Sequence, residues 1–175
     1  MSTTNLEAAI REVPDFPKPG ILFLDILPLL KHPGLFRELT LGLSEFTNEI
    51  ESIVGIEARG FILGTSMAIE LNKGFVPLRK KGKLPGAVHS QTYGLEYGTD
   101  EIEIQDGVLN QGERVVLVDD VLATGGTLIA GVKLLQKCGV VIESVIVALE
   151  IGVLNGREIF EKQFPDIPLN SLIVK

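Results

Sequence analysis

Two adjacent carboxylates followed by a loop of small residues are the strongest chemical signal in the chain. They lie in Val115-Val116-Leu117-Val118-Asp119-Asp120-Val121-Leu122-Ala123-Thr124-Gly125-Gly126-Thr127. The apolar residues read as a short buried strand, Arg114 to Val118, that delivers Asp119 and Asp120 to a turn. Ala123, Thr124, Gly125, Gly126 and Thr127 then read as a loop that opens a helix. Successive main-chain amides in such a loop form a nest for an anion, and the helix dipole adds attraction. Glycine lets a phosphate approach the backbone, and threonine hydroxyls add donors. Carboxylates beside a phosphate cradle accept hydrogen bonds from sugar hydroxyls, so the run predicts a sugar-phosphate site. The bland alternative is a strand, a turn and a helix capped by Asp120 or Thr124. An ATP-type P-loop does not fit: Gly126 and Gly131 have the right gap, but Val132 stands where lysine is needed. No Gly-x-Gly-x-x-Gly supports a dinucleotide site either.

Four more segments carry chemistry. In Gly55-Ile56-Glu57-Ala58-Arg59-Gly60-Phe61, a strand turns into a helix with Arg59 at the unfavourable, positive end of the dipole. Two readings are open: Arg59 pairs with Glu57, or it binds an anion in the bidentate manner of guanidinium and phosphate. Arg79-Lys80-Lys81-Gly82-Lys83 concentrates four of the chain's 16 basic residues. Such a run is either a solvated face or, following a strand in an acidic protein, a trap for a polyanion. Tyr93-Gly94-Leu95-Glu96-Tyr97-Gly98 falls in a long segment between strands, where lids are often found. Its tyrosines suit hairpin packing and substrate contact equally. Phe16 to Ile26 supplies an aromatic, Phe23, able to stack on a flat base, with Leu22 and Leu24 beside it.

These segments, in this order, resemble the type I phosphoribosyltransferases, and specifically the adenine branch of that family. Asp-Asp-x-Leu-Ala-Thr-Gly-Gly-Thr resembles the phosphoribosyl-pyrophosphate motif; Glu-Ala-Arg-Gly-Phe resembles the pyrophosphate loop. The basic run with Leu84-Pro85-Gly86, the Tyr-x-Leu-Glu-Tyr-Gly hood and the Phe16–Ile26 segment complete the likeness. The hypoxanthine branch usually begins its motif with Glu-Asp and has an aspartate where Ala123 stands. The resemblance implies purine salvage: transfer of the 5-phosphoribosyl group from phosphoribosyl pyrophosphate to adenine, giving AMP and diphosphate. It implies that Asp119, Asp120 and Ala123 to Thr127 hold the phosphoribose. It assigns Ala58, Arg59, Gly60, Arg79, Lys80, Lys83 and Tyr97 to the diphosphate, and Leu22, Phe23 and Leu24 to adenine. Glu96 becomes the general acid/base, acting with Arg59, Asp119 and Asp120, and Mg²⁺ accompanies the diphosphate and ribose. A homodimer is also implied. Leu24 departs from the pattern, which usually has arginine or lysine there; it is either a base-lining residue or a hydrophobic plug. Two other readings stay open, a transferase for a different purine and a non-catalytic sensor of phosphoribosyl pyrophosphate.

The elements that must position these residues alternate. Leu35, Phe36, Leu39, Leu43, Phe46 and Ile50 recur with helical period; Ser52–Ile56 and Gly74–Leu78 read as strands around a helix from Phe61 to Leu71. Extended structure follows from Tyr93 to Ile104, with the glutamates of Glu101-Ile102-Glu103-Ile104 outward. A helix over Thr127–Leu135, a strand over Ser144–Leu149 and a short helix around Arg157–Glu161 complete the pattern. The expectation is one α/β domain over residues 1–175, with a mainly parallel central sheet flanked by helices. Its N-terminal base-binding segment would occupy about residues 1–33, and a flexible loop or hairpin about 79–105. Ligands in such sheets gather beyond the carboxyl ends of the strands, here after Ile56, Leu78 and Val118.

With 175 residues, 45% of them hydrophobic, the chain can bury a core without staples. The net charge of −7 argues against nucleic acid or an anionic membrane as partner. The N-terminus lacks a signal-peptide pattern, and the lone Cys138, read as a buried core residue, forms no internal disulfide. A cytoplasmic location is expected. His32 is read as lying near the turn before Pro33 and His89 as solvated; neither receives a role.

Overall fold

A computed structural model describes residues 3–16, 18–20, 22–94 and 99–175. The elements in chain order are α1 (Thr4–Ala9), β1 (Arg11–Pro14), β2 (Leu22–Asp25), α2 (Leu27–Lys31), α3 (Pro33–Ser44), β3 (Ser52–Ile56), α4 (Arg59–Leu71) and β4 (Gly74–Lys80). They continue as β5 (Val88–Gly94), β6 (Thr99–Gln105), β7 (Arg114–Leu122), α5 (Gly126–Lys137), β8 (Val141–Glu150), a 3₁₀ turn (Gly152–Leu154), α6 (Gly156–Gln163) and β9 (Leu169–Val174).

The main sheet has the order β5-β6-β4-β3-β7-β8-β9. The pairings of β4, β3, β7, β8 and β9 are all parallel, and the β5–β6 hairpin joins antiparallel to β4. Burial on both faces explains why the central strands read as unbroken apolar runs. Val54, Val115, Leu117, Val145 and Val147 pack on the side of α5 and α6. Ile53, Val116, Val118 and Ile146 pack with α1, α3 and α4 on the other side. β1 and β2 form a separate antiparallel pair that pairs Glu12 with Leu24 and Val13 with Phe23.

The mainly parallel sheet is as expected, but several boundaries differ. β7 does not stop at Val118: Asp119 still pairs with Val147, so both aspartates are strand residues and the turn begins later. Polar side chains made the last strand residues look like a turn. β4 runs on to Lys80, and of the loop or hairpin anticipated over about 79–105 the hairpin is what forms, with seven paired positions between β5 and β6. Glu103 points inward rather than outward; it is buried, and its carboxylate accepts from the Gly82 amide at 2.9 Å. Cys138 is half-exposed at the end of α5, not fully buried. Burial and the nearby Asp106 carboxylate still raise its thiol pKa. His32 caps α3, its Nδ1 accepting from the Leu35 amide, and His89 meets Asp106 at 2.9 Å. Among the described residues, no helix is long and apolar enough to cross a membrane.

Candidate functional site: two adjoining clefts at the carboxyl ends of the strands

The carboxyl ends of β3, β4 and β7 open onto a polar cavity of about 470 Å³. Its walls are Glu57, Ala58 and Arg59 after β3, Lys80 at the end of β4, and Asp119 to Val121 on β7. Ala123 to Leu128 form the floor, and Tyr93 and Asp100 close the side from the hairpin. Gly125 has φ of +84°, a conformation that suits glycine, and serves as the N-cap of α5. No side chain caps this helix, so neither Asp120 nor Thr124 performs the capping of the bland alternative. The first-turn amides of α5, which have no intrahelical partner, stand at the cavity floor.

Asp120 accepts from Arg59 Nε at 2.5 Å. Asp119 accepts from the Asp120 main-chain amide at 2.8 Å. Burial, with the Asp120 charge beside it, pushes the Asp119 carboxyl well above the usual carboxylate range. Glu57 does not pair with Arg59. It takes two hydrogen bonds from Arg79, at 3.3 and 3.2 Å, and one from the Lys80 amide at 2.9 Å. Arg79 and the opposing effect of burial leave the Glu57 carboxyl below its ordinary value. Of the basic run, Lys80 stands on the cavity wall with its ammonium 3.1 Å from Asp100. Arg79 turns to Glu57 and to the Lys83 carbonyl, while Lys81 pairs with Glu101. Tyr93 donates to Asp100 at 3.2 Å, and burial together with the Asp100 charge pushes its phenol up to about 12. Packing and cavity contact are therefore both true of Tyr93.

A second, apolar cleft of about 570 Å³ adjoins the first. Leu22, Phe23 and Leu24 of β2 form one wall; Ile151, Val153 and Leu154 form the other. Glu12 and Lys175 stand at its polar margin. Phe23 meets Phe16 edge-on at 5.3 Å, and the Arg59 guanidinium lies 5.9 Å from the Phe23 ring centre. Leu24 lines the cleft and also packs on the core. Arg59, Val121 and Ala123 belong to both clefts.

The structure thus brings Ala58, Arg59, Lys80, Asp119, Asp120 and Ala123 to Thr127 around one cavity, with Leu22 to Leu24 next door. Gly60 is buried in the first turn of α4, against Asp119. Glu96 and Tyr97 lie outside the described residues. Sequence reasoning missed Asp100 and the Ile151–Leu154 wall. The second carried a usable signal, since it follows a β-branched strand and the strand-end rule applied to the other junctions also points there.

Residues 30–172 match the family model of the phosphoribosyl transferase domain, the class that this sheet and its cavity define. The adenine phosphoribosyltransferase of Streptomyces avermitilis is 48% identical over 173 residues, covering 98% of this chain and 95% of that protein. The crystal structure of the Thermoanaerobacter pseudethanolicus adenine phosphoribosyltransferase superposes with a TM-score of 0.92 at 42% identity, covering 99% of this chain and all of that one. The Saccharomyces cerevisiae enzyme, complexed with an imino-altritol bisphosphate and adenine, gives 0.90 at 38% identity, with 97% of each chain covered. The chain belongs to the adenine phosphoribosyltransferases. Its reaction is the purine-salvage transfer of a phosphoribosyl group from phosphoribosyl pyrophosphate to adenine, giving AMP and diphosphate.

Proposed function

We propose that the polar cavity holds phosphoribosyl pyrophosphate, the apolar cleft holds adenine, and transfer takes place where they meet. One observation carries this reading: Arg59, Val121 and Ala123 are common to both walls, so ligands filling the two clefts are neighbours. The amides and hydroxyls of Ala123 to Thr127 bind the 5′-phosphate, and Asp119 and Asp120 accept from the ribose hydroxyls. Ala58, Arg59, Gly60, Arg79, Lys80, Lys83 and Tyr97 face the diphosphate. For Arg59 and Arg79 this requires an exchange of partners, from Asp120 and Glu57 respectively to the leaving group. Phe23 stacks on adenine, flanked by Leu22 and Leu24.

The chemistry is displacement at the anomeric carbon. The bond to the diphosphate oxygen breaks and the bond to the purine nitrogen forms, through an oxocarbenium-like state. Cationic side chains stabilise the charge that grows on the departing diphosphate. Holding both substrates in register supplies much of the rate. Glu96 manages the purine N7 proton as general acid/base, and the hood around it excludes water as a competing nucleophile.

Mg²⁺ fits as an ion that arrives with the substrate. Among the described residues, no group of three or more His, Cys, Asp and Glu side chains could hold a metal. Asp119 and Asp120 offer hard oxygen donors that suit Mg²⁺ together with substrate oxygens. When bound, the ion neutralises charge on the diphosphate.

The whole chain, 1–175, works as one domain in the cytoplasm, with no nucleic acid or membrane partner. It works as a homodimer, for which the exposed Ile62 and Ile69 on α4 offer an apolar face. A mass near 19.0 kDa in solution would refute the dimer. The decisive assay gives the protein Mg²⁺, phosphoribosyl pyrophosphate and a panel of bases. Adenine should react far faster than hypoxanthine, guanine or orotate, and equal rates for hypoxanthine or guanine would overturn the base assignment. Glu96→Ala should depress turnover while leaving phosphoribosyl pyrophosphate binding largely intact; an unchanged rate removes its acid/base role.

A further inference from the structure

Gly156 opens α6, outside every segment that resembles a family motif. A Cβ built on it would stand 2.1 Å from the Ala123 carbonyl oxygen and 3.0 Å from Leu122 Cδ1. Reciprocally, a Cβ on Gly125 would stand 3.0 Å from the Gly156 carbonyl oxygen. The start of α6 and the 123–125 stretch therefore meet backbone to backbone, with no room for a side chain between them.

The helix has little freedom to retreat. Arg157, the next residue, gives Nε to both Glu150 oxygens at 3.0 and 3.1 Å, and Nη2 to Glu150 and Ser171 at 2.6 and 2.9 Å. Its Nη1 reaches the Leu169 carbonyl at 2.7 Å. Glu150 ends β8, and Leu169 and Ser171 lie on β9, so α6 is tied to the sheet edge.

We infer that Gly156 is a positioning residue for the transfer reaction: it lets α6 stand as a rigid backstop that sets the depth of the loop formed by Ala123 to Thr127. This rests on the reading of that loop as the 5′-phosphate cradle. Alanine in place of glycine ordinarily favours a helix. A role confined to α6 therefore predicts a variant as stable as the parent, with the same kinetics. A backstop predicts that the added methyl drives the Ala123 carbonyl outward, and a misplacement of about 1 Å in a reacting geometry can cost about 10²-fold.

The test is Gly156→Ala beside Thr127→Ala, with KM and kcat measured for each substrate. For Gly156→Ala, kcat/KM for phosphoribosyl pyrophosphate should fall about ten- to hundredfold while KM for adenine changes less than about threefold. The amide resonances of residues 124–127 should shift in the free protein. Unchanged phosphoribosyl pyrophosphate kinetics in a folded Gly156→Ala variant, with Thr127→Ala impaired, overturns the backstop and leaves the cradle standing. A Thr127→Ala variant that binds phosphoribosyl pyrophosphate normally overturns both. Should Gly156→Ala fail to fold, Arg157→Lys must show the same split between substrates, and equal effects on both, or none, overturn the inference.

Discussion

Replacing Phe23 by alanine separates the two clefts experimentally. The ring is half-exposed on β2, with Phe16 edge-on at 5.3 Å and the Arg59 guanidinium 5.9 Å from its centre. Stacking of a base on an aromatic ring contributes about 1–3 kcal/mol, so its loss should weaken adenine about 5- to 150-fold. The ring's attraction for Arg59 contributes about 0.5–1 kcal/mol at a partly exposed site. Misplacing Arg59 should therefore raise KM for phosphoribosyl pyrophosphate by no more than about fivefold. The cost in fold stability is small, about 1 kcal/mol, because the side chain is only partly buried. Steady-state kinetics with each substrate varied at saturating concentrations of the other would resolve the difference. A rise in the phosphoribosyl pyrophosphate KM as large as that for adenine would refute the division of labour, and an unchanged adenine KM would remove Phe23 from the base site.

Asp119→Asn should stabilise the protein at neutral pH while lowering activity. The raised folded pKa of Asp119 means that ionising it opposes folding at neutral pH, a penalty absent below the unfolded value near 3.8. The variant's advantage in urea midpoint should therefore be largest at neutral pH and vanish in acid; a pH-independent difference would refute the cause. Arg157→Ala should cost about 2–3 kcal/mol by stranding the buried Glu150 carboxylate, less than a fully buried pair because Arg157 is itself partly exposed. A loss below about 0.5 kcal/mol by chemical denaturation would show the pair to be ornamental. In the parent, Arg157 and Ser171 overcome burial and lower the Glu150 pKa. Their contribution should be complete above about pH 5 and lost as the pH falls through the lowered value, so the gap between parent and Arg157→Ala should narrow in acid.

The sequence disclosed what depends on local order. Strand–helix alternation and strand-end glycines marked three of the junctions that line the polar cavity, because parallel sheets place their ligands there. Partnerships between distant residues stayed hidden. Arg59 and Asp120 are 61 positions apart, and only the adjacency of β3 and β7 brings them together. Glu57 was the obvious local partner for Arg59, yet the β3–β4 pairing gives it to Arg79. Asp119 and Asp120 read as a turn in the sequence, yet they belong to β7, because buried carboxylates in a strand violate the usual rule of polarity. Arg157, Glu150 and Ser171 carried no recognisable spacing at all, and the backbone fit at Gly156 is visible only in three dimensions.

The hairpin of β5 and β6 joins β4 through the pairs Arg79–Glu103 and Lys80–Ile102 and through the Lys81 amide, which donates to the Glu101 carbonyl, and it leans on α5, whose Lys137 ammonium donates to the Ser90 carbonyl at 2.8 Å. Mechanically it is a propped flap rather than a free one, because Tyr93, Ile102 and Ile104 share one apolar cluster with α5. Tyr93 and Asp100, which face the polar cavity, sit opposite each other beyond that seam. Asp100 is in turn held at 3.1 Å by the ammonium of Lys80, the last residue of β4, so this wall takes its position from the sheet itself. The one cavity wall that lies outside the parallel strands is thereby indexed to them, by an ion pair on one side and by helix packing on the other.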